Sequence, residues 1–373
     1  MNNSVIEVGA VTSSLIFILI LQILMPQFTR KELCFGVRIP ESEAKSEEVR
    51  NINKQYILHN ILIGLPSLIL YVIINIYLNN PFILVAGVFV FIAVTCIPYL
   101  IAYKKVKKLK MEKQWGVGKK SVVVIDTKFS KEKNILISPW WFLIPAAIVI
   151  INIIVGIVSY GNIPNEVSTK WDIAGNATIW QHKSYGLIFQ MPLAQTVMII
   201  VIFLSYKTIG WSKQQISSSN PEESIKKNRV FRNAWAKCCI ILAILNSLLL
   251  AFNNLAMLQV IKVSGKIISL VSGIYTIAMV MIIIIPIVRF GQGGSRIKSP
   301  NDKMETDIID RNDDQFWILG QIYYNPNDPA VVVEKRFGVG WTFNIGSTRG
   351  ILIVVAILVF TIGAIIASHL LSK

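Results

Sequence analysis

Phe82–Lys113, FILVAGVFVFIAVTCIPYLIAYKKVKKLKMEK, decides how this chain is read. Its apolar part, Phe82–Tyr103, carries no charged side chain. A helix needs roughly 20 apolar residues, at about 1.5 Å of rise each, to cross a bilayer, and this run is long enough. The lysines that follow at 104, 105, 107, 108, 110 and 113 stop the span abruptly. Basic residues flanking a span are held on the cytoplasmic side, so the same stretch gives both a crossing and its direction. The lysine run is denser than insertion requires, and such clusters also hold anionic lipid headgroups.

The pattern repeats outward in both directions. Val8–Met25, Asn60–Leu78, Trp140–Tyr160, Leu187–Tyr206, Trp235–Phe252, Ile267–Val288 and Gly350–Leu371 read as further spans, eight in all with Phe82–Tyr103. Tyr103, Trp140, Trp141, Tyr160, Tyr206 and Trp235 stand at span ends, where aromatic rings favour the membrane interface. The first span lacks the basic start and small-residue cleavage site of a signal peptide and is kept as a span. Composition agrees: 53 % of the 373 residues are hydrophobic and 16 % charged, against about a quarter charged in soluble domains. Mean hydropathy is +0.57.

The formal charge of +16 invites a nucleic-acid reading, but its distribution argues otherwise. With the spans as drawn, all of the 37 lysines and arginines except Lys170, Lys183, Lys262, Lys266 and Lys373 fall on one side. That asymmetry places this side in the cytoplasm and both termini outside it. Nucleic acid is therefore not expected as a partner; the lipid bilayer is. None of Cys34, Cys96, Cys238 and Cys239 then lies in an oxidising compartment, and the adjacent pair has no metal-site spacing, so neither a disulfide nor zinc is expected.

Between the last two spans lies the one long piece that reads as water-soluble, Asp313–Asn344, DDQFWILGQIYYNPNDPAVVVEKRFGVGWTFN. Trp317–Tyr324 and Val331–Phe337 read as strands separated by the turn residues Asn325–Pro329. Gly338–Gly340 supplies a second turn and Trp341–Ile345 a third strand. The expected fold is thus an all-α polytopic membrane protein with about eight transmembrane helices and a small cytoplasmic β-meander before the last. In domain terms this is a membrane domain over 1–288, a linker and β domain over 289–349, and the last helix over 350–373. The turn chemistry either serves folding alone or builds a docking surface from Trp317, Tyr323, Tyr324, Asn325, Asp328 and Trp341, since aromatics are favoured at contact sites. Ser121–Phe129 is a further strand candidate, and a helical stretch that mixes acids and bases runs from Glu41 towards Tyr56. Outside, only Gly161–Gly186 has length.

Catalytic signatures are missing. His59, His182 and His369 have no metal-ligand spacing, and Gly116–Ser121 lacks the first glycine and the following helix of a phosphate loop. The acids from Asp302 to Asp314 lack the ligand spacing of a calcium loop and read as a solvated linker. Neither enzymatic activity nor a cofactor or metal is expected. Asp, Glu, Lys and Arg occur in the spans only near their ends, which counts against proton-coupled transport. What remains at depth is neutral: Asn75, Asn152, Gln190, Gln195, Asn246 and Ser247. These residues either hydrogen-bond neighbouring helices or line a polar path. Pro66, Pro192 and Pro286 are expected to kink their helices.

Three stretches carry a resemblance. Pro164, Gly175 and Lys183-Ser184 are similar to a proline, His-x-Asn-x-x-Gly, Lys-Ser pattern in the domain of unknown function at the N-terminus of SdpI-type proteins. Those are bacterial membrane proteins of immunity and signalling in a peptide-toxin system. This chain departs from the pattern with Lys170 and Asp172 where histidine and asparagine are expected. Trp317, Gly320, Tyr323–Pro326, Asp328-Pro329 and Lys335–Gly338 resemble a second small domain often paired with the first, and Phe35–Pro40 resembles a stretch seen in that pairing. The resemblance implies a multi-pass protein of the bacterial plasma membrane that senses or resists a peptide. Trp171, Asp172, Gly175, Trp180 and Lys183 would then meet a peptide ligand outside, and the β segment a protein partner inside. The alternative is a transporter or permease component for a small neutral solute.

Overall fold

The computed structural model describes residues 3–115, 136–172, 174–217, 220–298 and 313–371. The strand candidate Ser121–Phe129, the glycine-lysine run from Gly116 and the acids from Asp302 to Asp310 lie outside these residues. In chain order the elements are α1 (Asn3–Leu24), the hairpin β1 (Leu33–Cys34) and β2 (Val37–Arg38), α2 (Glu47–Leu78), α3 (Pro81–Thr95) and α4 (Ile97–Glu112). There follow α5 (Leu143–Val158), β3 (Glu166–Trp171), β4 (Ala177–His182), α6 (Tyr185–Trp211), α7 (Pro221–Met257) and α8 (Gly265–Phe290). The chain then forms β5 (Trp317–Ile318), β6 (Ile322–Tyr323), β7 (Val332–Glu334), β8 (Trp341–Phe343) and α9 (Thr348–Leu371).

Among the described residues, seven helices are long and apolar enough to cross a membrane, and α9 corresponds to the eighth expected span. Their outward faces are greasy. On α8, Leu270 and Ile277 are 63 % and 68 % exposed, and on α3 Phe82 is 78 % exposed. A helix apolar all round is at home only in a large core or in lipid. The chain is a polytopic membrane protein.

Local signals explain the helix ends. Ser46 caps α2 by accepting from the Val49 amide, and Glu47 and Glu48 fill its first turn, where the helix dipole favours anions. Asn79 ends α2 in the left-handed conformation, Asn80 accepts from the Phe82 amide, and Pro81 starts α3. Helices α2, α6 and α8 run on through Pro66, Pro192 and Pro286. Within the third span a helix boundary falls at Cys96, beside Pro98 at the start of α4.

By internal contacts the chain forms two units. The first comprises Met1–Thr127, Trp211–Asn228 and Arg289–Lys373, and the second Lys128–Gly210 and Arg229–Val288. In the first, Leu15 and Leu19 of α1 pack on Leu68 and Tyr71 of α2 and Phe91 of α3. Gly64 permits the close approach, since a Cβ there would lie 2.5 Å from Leu19. In the second, Phe142, Tyr206, Ala236, Ile240 and Ala243 form the core between α5, α6 and α7. Gly156 likewise accommodates Ile188, at 2.4 Å from where its Cβ would be.

The β segment differs in detail from a three-stranded meander. Trp317–Tyr324 is itself a hairpin, pairing Trp317 with Tyr323 and Ile318 with Ile322. Its turn places Leu319 at φ 49° and Gly320 at φ 71°. One glycine inside an aromatic, β-branched run suffices to reverse it, because glycine takes positive φ without steric cost. Strands β7 and β8 pair across the Gly338–Gly340 turn as expected. Single bridges join Tyr323 to Asn344 and, from the loop after α6, Lys213 to Val333.

Candidate functional site

The segment from Gly161 to Gly186 folds as the hairpin β3–β4, with Glu166 opposite His182 and Trp171 opposite Ala177. Asp172 shapes the turn. Its carboxylate accepts the Asn176 amide at 2.7 Å and the Asn176 side chain at 3.0 Å, and these two donors hold it below the usual carboxylate range. Gly175, at φ 85°, lies against the start of α8, where its own Cβ would come within 2.4 Å of the Lys266 nitrogen. Ser269 of α8 also donates to the Asp172 carbonyl. Lys183 donates to the Ile163 carbonyl at 3.0 Å and sits 4.7 Å over the Tyr160 ring. Trp171 packs on the cluster of Ile163, Val167, Leu187, Met257 and Leu258.

Of the five residues expected to meet a ligand, four thus position the hairpin. Trp180, 58 % exposed, is the one that presents an open face, with Ile179 exposed beside it on β4. Among the described residues β4 pairs only with β3, which leaves its outer edge uncovered.

Within the same unit the deep polar residues join into a ladder. The Asn254 side chain donates to Asn152 at 2.9 Å, Asn152 to Gln195 at 2.9 Å, and Gln195 to the Ser247 carbonyl at 2.8 Å. The ladder ties α5, α6 and α7 together, and all four residues are buried. Asn254 was not legible as part of this set, since it lies beyond the apolar run drawn for that span. Its spacing of seven from Ser247, which puts both on one helix face, is the signal that could have found it.

In the first unit, Trp317, Tyr323, Asn325 and Asp328 are buried and occupy one another. Tyr323 donates to Asp328 at 2.8 Å, the Asn325 side chain to Tyr323 at 3.2 Å, and Lys213 to Asp328 at 2.6 Å. Burial pushes the Tyr323 hydroxyl up to about 12, with Asp328 adding to the effect. Asp328 itself stays below the usual carboxylate range, because Lys213, the Ala330 amide and Tyr323 outweigh its burial. These four residues are the interior of the segment, and of the six expected at a contact only Tyr324 and the half-buried Trp341 show surface. Aromatic rings favour a core as well as a contact, and Asx-turn residues shape a loop whether or not it binds, so the sequence left the two roles undivided.

Polar residues not singled out in the sequence hold this region together. Glu334, fully buried, accepts from Arg30 at 2.5 Å and from Asn228 at 2.7 Å. Arg336, also fully buried, pairs with Asp313 and Asp314, donates to the Gly36 carbonyl at 3.0 Å and lies over the Trp317 ring. Asn344 donates to the Asn325, Asp328 and Ala330 carbonyls. An acid directly closing the apolar run Val331–Val333 was the available signal for Glu334. Among the described residues no three His, Cys, Asp or Glu gather as metal ligands. A cavity of about 280 Å³ beside the end of α1 is lined by Arg30, Lys31, Glu41 and Lys45, but the Arg30–Glu334 and Lys31–Glu41 pairs occupy much of its charge.

The fold defines a polytopic membrane protein, and two family matches are consistent with that level of description. Residues 147–196 match a domain of unknown function, DUF1648, and residues 326–351 a family of unknown function, DUF5808. The first match brackets the β3–β4 hairpin and includes Asn152 and Gln195; the second includes Asp328, Glu334, Arg336 and Asn344. No curated protein and no solved structure matches the chain.

Proposed function

We propose that this is a non-enzymatic protein of the bacterial plasma membrane that senses, or confers immunity to, an amphipathic peptide. In this reading the β3–β4 hairpin is extracytoplasmic, both termini lie on that side, and the β segment faces the cytoplasm. The orientation rests on the lysine and arginine asymmetry. The observation that carries the ligand reading is the uncovered edge of β4 with Trp180 and Ile179 exposed along it. A sheet edge offers main-chain hydrogen bonds to an extended peptide, and exposed aromatic and aliphatic side chains receive its apolar residues. The likeness to SdpI-type proteins supports the same role. A cytoplasmic partner would meet Tyr324 and Trp341, the accessible aromatics of the β segment.

The test is cellular. A strain lacking the gene is expected to become more sensitive to a membrane-active amphipathic peptide. The wild-type gene should restore resistance and a Trp180→Asp gene should not. Unchanged sensitivity on deletion, across peptides and cell-wall stresses, contradicts the proposal.

One observation favours a second reading, a permease component for a small neutral solute: the Asn152–Gln195–Asn254 ladder at bilayer depth. Uptake by purified protein in liposomes, abolished by Asn152→Leu in a chain that still folds, would establish it over the first.

A further inference from the structure

The β5–β6 hairpin wears its apolar residues outside. Ile318, Leu319 and Ile322 are 48 %, 45 % and 43 % exposed, whereas Trp317 and Tyr323, which flank them, are each 4 % exposed. A strand pair in water shows polar residues on its open face, so three large aliphatic side chains together need a covering.

The depth of the hairpin says what covers it. At its tip, the Tyr99 hydroxyl donates to the Leu319 carbonyl at 2.8 Å and reaches the Phe35 carbonyl at 3.2 Å. Tyr99 belongs to the uncharged part of α4 and lies five residues before Lys104, about 7 Å to the apolar side at helical rise. At its base, Asp314 is held by Lys110 at 2.7 Å and by the Arg38 amide at 3.3 Å. Lys110 stands a further three turns along α4, about 16 Å from Tyr99. The hairpin therefore runs down α4 from its charged end to its apolar end, tip first.

Two other helices give the same depth. The β1–β2 turn meets the β5–β6 turn back to back, and a Cβ on Gly36 would lie 2.4 Å from the Gly320 oxygen. The Phe35 ring at that turn is 4.8 Å from Tyr56, which follows the last basic residue of α2's polar start, Lys54. The Tyr56 hydroxyl in turn donates to the carbonyl of Gln22, inside the first span. Tyr99 and Tyr56 sit on the apolar side of the lysines of α4 and α2, and Gln22 lies inside the first span.

We propose that the β5–β6 hairpin dips into the bilayer leaflet, with Ile318, Leu319 and Ile322 immersed at the boundary of headgroups and acyl chains. The partner for this face is the lipid of the membrane the chain already spans, not a soluble protein. The depth is shallow. Strand backbone outside a closed sheet keeps unpaired amides and carbonyls, which the hydrocarbon centre does not tolerate but the interface does.

The wild-type protein tests this without substitution. Reconstituted in nanodiscs containing a phospholipid with a diazirine on its acyl chain, it is irradiated and digested, and the lipid adducts are mapped. The expected result is labelling of Ile318–Ile322 several-fold above that of Pro326–Val331, where Asn327 is also exposed. A water-soluble diazirine should give the opposite ratio. Adducts confined to the helices, or water-phase labelling at Ile318–Ile322 equal to that at Asn327, would overturn the proposal. So would cross-linking of that face to a second copy in place of lipid.

Discussion

Glu334 shows how charge is spent at the level of single residues. A carboxylate with no exposed surface is costly unless paired and hydrogen-bonded, and here Arg30 and Asn228 both donate to it. Removing one partner leaves the other charge buried. Arg30→Ala is therefore expected to lower stability by about 3–5 kcal/mol, read as a fall in the melting midpoint of protein in detergent or nanodiscs. A change within experimental error would show the pair to be incidental. Asp314 bears on acid sensitivity. Burial alone would raise its carboxyl, but Arg336 and Lys110 outweigh burial and hold it below the ordinary range. The unfolded value is about 3.9, and a carboxyl depressed on folding contributes stability that is complete above that value. The contribution disappears as pH falls through the folded value. Stability should accordingly decline below about pH 4, and Asp314→Asn should be less stable at pH 7 yet flatter on the acid side. A wild-type acid limb that the substitution leaves unaltered would contradict this. The pairing of Arg30 with Glu334 was not legible in the sequence, because some three hundred residues separate them, and the acids that Arg336 meets, Asp313 and Asp314, lie more than twenty residues before it. Nothing local announces such pairs.

Elements were legible to the degree that one period governs them. The helices followed from uninterrupted apolar runs, and their charged extensions, as at Glu47 in α2 and Pro221 in α7, continue past the bilayer-length core because caps and not hydropathy set helix ends. The β5–β6 hairpin was hidden for the opposite reason. Trp, Ile and Tyr around Gly320 all favour strand, and only the positive φ at Leu319 and Gly320 reveals the reversal. At the candidate site the resemblance drew attention to Gly175 and Lys183. The structure gives them positioning contacts with α8, Ile163 and Tyr160. The polar ladder supplies the prediction at this scale. Asn152→Leu removes both of its rungs and leaves the Asn254 amide and the Gln195 oxygen without those partners. The expected cost is about 1–3 kcal/mol, given the modest worth of interhelical hydrogen bonds in membranes. Denaturant titration in a mixed micelle would measure it, and a variant as stable as wild type would mean that the ladder does not fasten α5, α6 and α7.

For the whole molecule, lipid sets both the fold and the proposed role. Exposed faces of the spanning helices are apolar, and in the proposed topology the basic residues cluster on one side, with β3–β4 assigned to the other side and the β segment to the basic one. The sensing proposal requires these to lie on opposite sides of the bilayer, with β4 reachable from outside. Single cysteines at Thr178 and Asn327, both exposed, address that requirement directly when intact cells are treated with a membrane-impermeant maleimide. Labelling at position 178 without labelling at 327, above the background of the wild-type chain, is the expected result. Labelling at 327 with none at 178 would invert the topology and remove the basis for an external ligand at β4.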